Sequence, residues 1–320
     1  MIRSDMAAPD ISIIVVSWNV CEMLRDCLQS IVGQTKKGYE IIVVDNASVD
    51  GSAEMVAEEF PEVRLIANDQ NIGFAAANNQ GLEISSGHYV LLLNPDTLIL
   101  DGAIDRMIDW MNGHPDVGCA GCQVFETETV IQRTCFSDPG PRKILFVETG
   151  LHRIFAQSRF FGFPEYGWWD RQSEMDVDVV SGMFMLVPRH VLDEVGMMDE
   201  AFFVYSEEAD WCRRIRQAGY RCVFTPAARI MHRDGGGKST SQIKPRMYVQ
   251  LQKSAMIYVR KHYGPIGLIT AKTIYSGMML ARGILFGVTA LITRGSEARA
   301  LAKLGWVSAR FHLFGIEPKP

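Results

Sequence analysis

YVLLLNPD, residues 89–96, sets an apolar run against an abrupt polar stop. Five strand-forming positions in succession, Tyr89 to Leu93, predict a strand buried on both faces, as in a parallel sheet covered by helices. Pro95 has no N–H to give to a ladder, so pairing ends there. Asp96 is then held at the carboxyl edge of a sheet, where open α/β folds place ligands. A hard cation or a phosphate-bearing ligand suits such a carboxylate. The competing reading is that Asp96 caps a turn into the segment Thr97 to Trp110, a position Asp also favours.

Working outward, Ile11–Ser17, Glu40–Asp45, Val63–Ala67 and His88–Leu93 are further β-rich runs, with helical spacing between them. Met23, Leu24, Cys27, Leu28 and Ile31 share one helical face, and Met55, Val56 and Phe60 share another. This βαβ succession predicts a mostly parallel sheet between helices. Three strands end in polar clusters: Ser17 to Asn19, Asp45 to Ser52, and Asn94 to Asp96. Parallel strands bring all three to one edge, which turns separate weak signals into a site. Asp45 directly follows an apolar run and needs a partner there, whereas Asp50, Gly51 and Ser52 read as a turn and helix cap. Asn68 to Gly81 (NDQNIGFAAANNQG) adds Asn71, Gly73 and Asn78 to the candidates. Its small residues let a helix lie close to a ligand or to the sheet. No GxGxxG follows the first strand, which disfavours a dinucleotide-dependent dehydrogenase.

With 48% hydrophobic and 22% charged residues in 320, the chain is globular in composition, and neither disordered nor collagenous. Residues 240–320 hold 12 Lys/Arg and 2 Asp/Glu, while the rest hold 20 and 35. A basic tail on an acidic body points to a membrane surface or a polyanion. MIRSDMAAPD at the amino terminus lacks an apolar secretory core, so a cytoplasmic site is expected. Seven scattered cysteines give no disulfide framework. Cys119 and Cys122 form one isolated CxxC, which reads as buried small side chains rather than zinc ligands.

The second half carries a second set of candidates. Phe155 to Asp170 is dense in aromatics, including Trp168 and Trp169, and either faces a sugar or lipid headgroup or simply packs under a loop. DVVSGMFMLVPR (178–189) reads as a strand interrupted by Gly182, where a ligand or a second backbone can approach. FFVYSEEADWCRRIRQAG (202–219) places Ser206 as a helix cap, with Glu207, Glu208 and Asp210 in the first turn. Either these acids complement the helix dipole or one faces the sheet edge as a general base. His232, in ARIMHRDGGGKS (228–239), is placed to join a carboxylate around a divalent ion beneath a glycine loop, although a lone His is more often an ordinary satisfied side chain.

In order and spacing, VVSWN, VVDNASVDGS, NIGFAAANNQG, LLLNPD, VSGMFMLVPR, FFVYSEEADWCRRIRQAG and IMHRDGGGKS resemble the family 2 glycosyltransferases, and most closely those of bacterial rhamnosyltransferase type. The resemblance spans roughly residues 10 to 240. It implies a GT-A fold (a Rossmann-like, mixed and mostly parallel sheet), a nucleotide-diphosphate sugar donor, a divalent cation (Mg2+ or Mn2+) and inversion at the anomeric carbon. It further implies that Asp45 binds the donor base, with Ser17 and Asn19 lining that pocket. Asn94 and Asp96 stand where the family has its DxD motif. Asn replaces the first acid, which leaves Asp96 as the main metal carboxylate and His232 to complete the coordination. Glu208 occupies the catalytic-base position, where the family usually has Asp, so Glu207 and Asp210 remain rivals. Asn71, Gly73 and Asn78 join the donor site, and Gly182, Trp168 and Trp169 the acceptor side.

The tail, residues 241–320 after a catalytic region 1–240, extends this reading. Ile266 to Thr293 predicts a long apolar helix with Lys272, Ser276, Arg282 and Thr289 on one arc. Beyond a turn at Gly295, Arg299, Lys303 and Arg310 face away from Leu301, Leu304 and Phe311. Basic amphipathic helices suit the anionic cytoplasmic leaflet. A true span over Ile274–Ile292 and packing on a partner subunit are the rivals, and a homo-oligomer stays open. The expected partners are therefore the donor, a polyprenyl-linked or glycan acceptor of the cell envelope and an anionic plasma-membrane surface, with no nucleic acid. Two other classes compete. A non-catalytic nucleotide-sugar-binding scaffold at the membrane draws support from Asn94 and Glu208, and a nucleotidyltransferase is disfavoured because SWNVCE lacks a basic glycine loop.

Overall fold

The computed structural model describes residues 8–233 and 244–318. Four strands, β1 (Ile11–Ser17), β2 (Tyr39–Asp45), β3 (Arg64–Ala67) and β4 (Tyr89–Leu93), run parallel in the order β3-β2-β1-β4. All seven residues of β1 are buried, as a strand covered on both faces must be. The crossovers are α1 (Cys21–Gln34), α2 (Ser52–Glu59) and α3 (Phe74–Ile84). α1 buries Leu24, Cys27, Leu28 and Ile31, the face its spacing predicts, and each fully buried leucine or isoleucine contributes about 1.5–3 kcal/mol. α3 lies almost directly on β1: Ala75 and Ala77 are fully buried, and a Cβ on Gly81 would stand 2.6 Å from Ile14 Cγ2. Its small residues therefore serve helix-to-sheet contact.

Beyond β4 the sheet becomes mixed. After Pro95 the chain enters a strand, β5 (Thr97–Ile99), and helix α4 begins only at Ala103 (Ala103–Asn112). Asp96 thus leads into a strand rather than capping a helix. β6 (Val117–Phe125), β7 (Cys135–Phe136), β8 (Met175–Asp176), β9 (Val179–Val180), β10 (Phe184–Pro188) and β11 (Arg221–His232) follow. The main sheet has the order β3-β2-β1-β4-β10-β6-β11-β5, with β8 on β11. β10 is antiparallel to both β4 and β6, β5 and β8 are antiparallel to β11, and β6 pairs parallel with β11, so the sheet is mixed, and all-parallel only from β3 to β4. The run 178–189 is two strands rather than one. β9 pairs with β7 in a separate ribbon, the chain breaks around Gly182, and Arg189 opens helix α7 (Arg189–Val195).

The chain forms two compact units. The first comprises Met1–Phe136, Asp170–Phe203 and Glu207–Gly235; the second comprises Ser137–Trp169, Val204–Ser206 and Gly236–Pro320. Where the sequence suggests one boundary near residue 240, the chain crosses between units several times. In the second unit lie α5 (Pro141–Glu148), α6 (Leu151–Ile154), and two C-terminal helices that follow α8 (Glu207–Gln217) of the first. α9 (Lys244–Thr293) is broken at Gly264, with φ 66° and ψ −166° ahead of Pro265, and α10 (Ser296–Phe314) follows. Ile144, Met256, Val259, Ala271, Tyr275 and Met279 form the core of this unit. Its aromatic segment largely packs on itself: Phe160, Phe161 and Phe163 surround Phe146, and the Arg142 guanidinium lies 4.3 Å from the Phe163 ring centre.

Candidate active site

Strand register sets the polar clusters side by side. Ser17 is the Cα partner of Asp45, and Val15 that of Leu93, so the ends of β1, β2 and β4 share one edge. Three buried polar atoms there have no hydrogen-bond partner among the described residues: Ser17 Oγ, Asp45 Oδ1 and Asp96 Oδ1. A buried polar atom left unpaired costs about 1–3 kcal/mol, and such atoms gathered at one edge mark a place prepared for a ligand. The second oxygen of Asp45 is occupied, accepting from Ser48 N at 2.9 Å. Asn19 adopts φ 56°, a left-handed conformation Asn tolerates, and its side chain accepts from Val49 N at 2.8 Å. Asn19 thereby pins the loop after β2 to the end of β1.

Asn46, a residue the sequence reading passes over, organises the next layer. Its amide donates to Asn71 Oδ1 at 2.9 Å and to Gly73 O at 3.2 Å, and its oxygen accepts from Ile72 N at 3.0 Å. Asn71 and Gly73 are therefore scaffold as well as edge residues. Gly73 has φ 93°, and a Cβ there would meet Phe203 O at 2.5 Å, where Phe74 N also donates to that carbonyl. This contact ties the start of α3 to the approach to α8. Asn78 is 1% exposed and its amide donates to Phe74 O at 2.9 Å, within its own helix.

The structure brings Asp96 and His232 together. β5 and β11 set Thr97 opposite His232, and Asp96 Oδ2 lies 3.0 Å from His232 Nε2. The other ring nitrogen, Nδ1, lies 3.0 Å from Gln132 Oε1. A Gln carbonyl oxygen only accepts, so Nδ1 is the donor to Gln132 and Nε2 is the nitrogen left facing Asp96. An imidazole nitrogen and a carboxylate oxygen so placed are a donor set that a cation can take. Ligands at right angles on a small divalent ion, with bonds of about 2.1 Å, stand about 3 Å apart, and the second Asp96 oxygen is unpaired. The residues present thus fit a divalent metal. The backbone of Asn94 is held by Met183 O and Thr97 Oγ1. The glycine loop expected to close over phosphates, residues 235–237 with Lys238 and Ser239, lies outside the described residues.

In α8 the three acids separate. Asp210 is fully buried and pairs with Arg214 Nε at 2.9 Å, and Arg214 also donates to Val195 O and Met197 O. That network marks Asp210 as structural. Glu207 is 3% exposed, whereas Glu208 is partly open. Tyr205 and Ser206 both take positive φ, 70° and 67°, so the chain enters α8 through a strained turn rather than through an extended serine cap.

Of the acceptor candidates, Gly182 faces the Phe74 ring, where a Cβ would lie at 3.3 Å. Trp168 and Trp169 belong to the second unit and are half-buried, with Trp168 edge-on to Tyr166 at 5.8 Å. Cys119 does not group with Cys122. Its Sγ lies within 4.8 Å of those of Cys212 and Cys222 in the core, a proximity created by β6, α8 and β11 that spacing along the chain conceals.

The family model for glycosyl transferase family 2 matches residues 12–196. The chain belongs to this family. Similar proteins include the N-acetylglucosaminyl-diphospho-decaprenol L-rhamnosyltransferase of Mycobacterium tuberculosis, 25% identical over 238 residues, covering 69% of this chain and 75% of that protein. Glycosyltransferase AglE of Haloferax volcanii is 31% identical over 221 residues, 68% of this chain and 64% of its own. The mannosyltransferase of Pyrobaculum calidifontis, solved with GDP-Man and Mn2+, superposes with a TM-score of 0.55 at 16% identity, covering 97% of this chain and 89% of that one. GalNAc-T7, solved with UDP, GalNAc and Mn2+, gives 0.54 at 14% identity, covering 82% and 52%. Both likenesses concern the fold, which is GT-A. This family 2 member is an inverting glycosyltransferase that uses a nucleotide-sugar donor.

Proposed function

We propose that the protein transfers a sugar, with rhamnose as the first candidate, from a nucleotide-diphosphate donor to a polyprenyl-linked or glycan acceptor of the bacterial cell envelope, at an anionic membrane surface. The observation that carries the site assignment is the row of unpaired polar atoms on Ser17, Asp45 and Asp96 at one sheet edge. Asp45 Oδ1 accepts a hydrogen bond from the donor's base or ribose, with Ser17 and Asn19 beside it. Asp96 and His232 would hold a divalent cation, Mn2+ or Mg2+. Such a cation supplies charge neutralisation as the leaving diphosphate becomes more negative.

Glu208 takes the proton of the acceptor hydroxyl. The acceptor oxygen forms its bond to the anomeric carbon from the face opposite the diphosphate. The bond from that carbon to the phosphate oxygen breaks, and its electron pair leaves with the diphosphate. Holding both reactants in line removes much of the entropic barrier. The similarity to the M. tuberculosis rhamnosyltransferase supports a polyprenyl-diphosphate acceptor. Incubating the full chain with dTDP-rhamnose, UDP- and GDP-sugars, Mn2+ and a polyprenyl-diphosphate N-acetylglucosamine tests this reading. A glycolipid product of inverted anomeric configuration is expected. Donor binding without turnover across the panel would favour the scaffold reading instead.

A further inference from the structure

We propose that the second unit is monotopic, with residues 265–293 of α9 lying along an anionic bilayer rather than crossing it. The inference rests on the membrane-surface reading above and says how that surface is engaged. Ile266, Ile269 and Thr273, and then Ile284, Val288 and Leu291 after a step of eleven residues that is close to three whole turns, form one exposed stripe, with Ile266 81% and Leu291 82% exposed. No charged residue falls on this stripe. Lys272 projects to the side, and Arg282 turns inward to Glu148 Oε2 at 2.9 Å and Tyr248 OH at 3.0 Å. The hydroxyls of Thr270, Thr273, Thr289 and Thr293 each donate to the carbonyl four residues earlier at 2.9 Å. These polar groups need no water, as a helix in contact with lipid requires.

By length and apolarity alone, α9 is able to cross a membrane. Its neighbour prevents that. α10 exposes Arg299, Lys303, Trp306, Arg310 and Phe314, a basic face with interfacial aromatics. A Cβ on Gly305 would lie 2.6 Å from Gly283 N, so α9 and α10 touch backbone to backbone and move together. A crossing α9 would carry Arg299, Lys303 and Arg310 into hydrocarbon, at about 2.5–3.5 kcal/mol each near its centre. Lying flat, α9 sinks its neutral stripe below the headgroups while the cations of α10 stay among them. The charge selects the occupant: 12 Lys/Arg against 2 Asp/Glu in residues 240–320 attract anionic lipid, and would repel a second copy of the same face.

Flotation of the full chain with vesicles of phosphatidylcholine, alone or mixed with phosphatidylglycerol, provides the test. Binding to the anionic vesicles should exceed binding to neutral ones at least tenfold. The double variant Ile284→Asp, Val288→Asp, altered only at exposed positions, should lose it while keeping donor hydrolysis in lipid-free solution. In sealed membrane vesicles from producing cells, an impermeant amine reagent should treat Lys261 and Lys303 alike, either labelling both or labelling both only after detergent. Opposite accessibility of the two lysines would show a span and overturn the proposal. So would absence of flotation, whether the lipid-free protein is a monomer or a stripe-mediated dimer. Flotation with no donor hydrolysis in any variant would leave this inference standing and count against the transferase reading.

Discussion

At the scale of single residues, the site divides into groups that meet ligand and groups that hold them. Asp96→Asn should abolish Mn2+ binding measured by electron paramagnetic resonance, because the orphaned oxygen and its charge are the main attraction. In the proposed metal site Gln132 acts as a positioning residue, holding the His232 ring from behind. Gln132→Ala should weaken Mn2+ binding about 10- to 100-fold with an unchanged melting temperature in metal-free buffer, and Gln132→Glu, which also accepts from Nδ1, should restore it. Unchanged affinity in Gln132→Ala would remove that role. Glu208→Gln should lower kcat by about 10²- to 10⁴-fold while the donor still binds. Asp210→Asn should act on stability instead, since it leaves Arg214 without its buried carboxylate, at a cost of about 3–5 kcal/mol. A stable but inactive Asp210→Asn protein would exchange these two assignments. Asp45, Asp96 and His232 stand out in the sequence as candidates because each lies at or just past the end of an apolar run. Gln132 and Asn46 were not, because their work consists of contacts across 100 and about 25 residues of sequence.

At the scale of elements, β1 to β4 and the buried face of α1 were legible, since continuous apolar runs and apolar residues three and four apart are local signals. It did not find β5, whose three residues acquire strand character only by pairing with β11. Nor did it show that β10 enters antiparallel, because a strand buried on both faces reads the same in either direction. The small residues of α3 illustrate the same limit, being compatible with ligand or sheet until Ile14 is seen above Gly81. Within the C-terminal helices, His312 donates from Nε2 to Gln252 Oε1 at 2.9 Å and stacks on Tyr275 at 4.7 Å. Burial, aided by Lys272, pushes its pKa down to about 4. The unfolded chain, with a histidine pKa near 6.5, then binds the extra proton between these values. The stabilising effect is complete above about pH 7 and is lost as pH falls from about 6.5 to 4, by at most about 3 kcal/mol. The melting temperature should drop over that window, and His312→Gln should flatten the drop. An equally steep profile in the variant would assign the acid sensitivity to other groups.

At the scale of the whole molecule, the chain divides into a unit whose GT-A sheet edge carries the donor and base candidates and a basic, apolar helical unit that carries the proposed lipid-facing stripe. Charge asymmetry sets the last 81 residues apart in the sequence, because their 12 cations have few acids to answer them. The path of residues 137–169 into the second unit was not legible, since their aromatics fit either a ligand surface or the Phe146 cluster they form. In the proposed function, the sheet edge bearing Asp45, Asp96 and His232 activates a nucleotide-diphosphate sugar with the help of a divalent cation. Release of nucleoside diphosphate from the donor panel, followed with and without Mn2+ in wild type and Asp96→Asn, tests it most directly. Release is expected from at least one donor, dependent on Mn2+ and absent in Asp96→Asn. Equal release by Asp96→Asn, or release that chelator leaves unchanged, would contradict it.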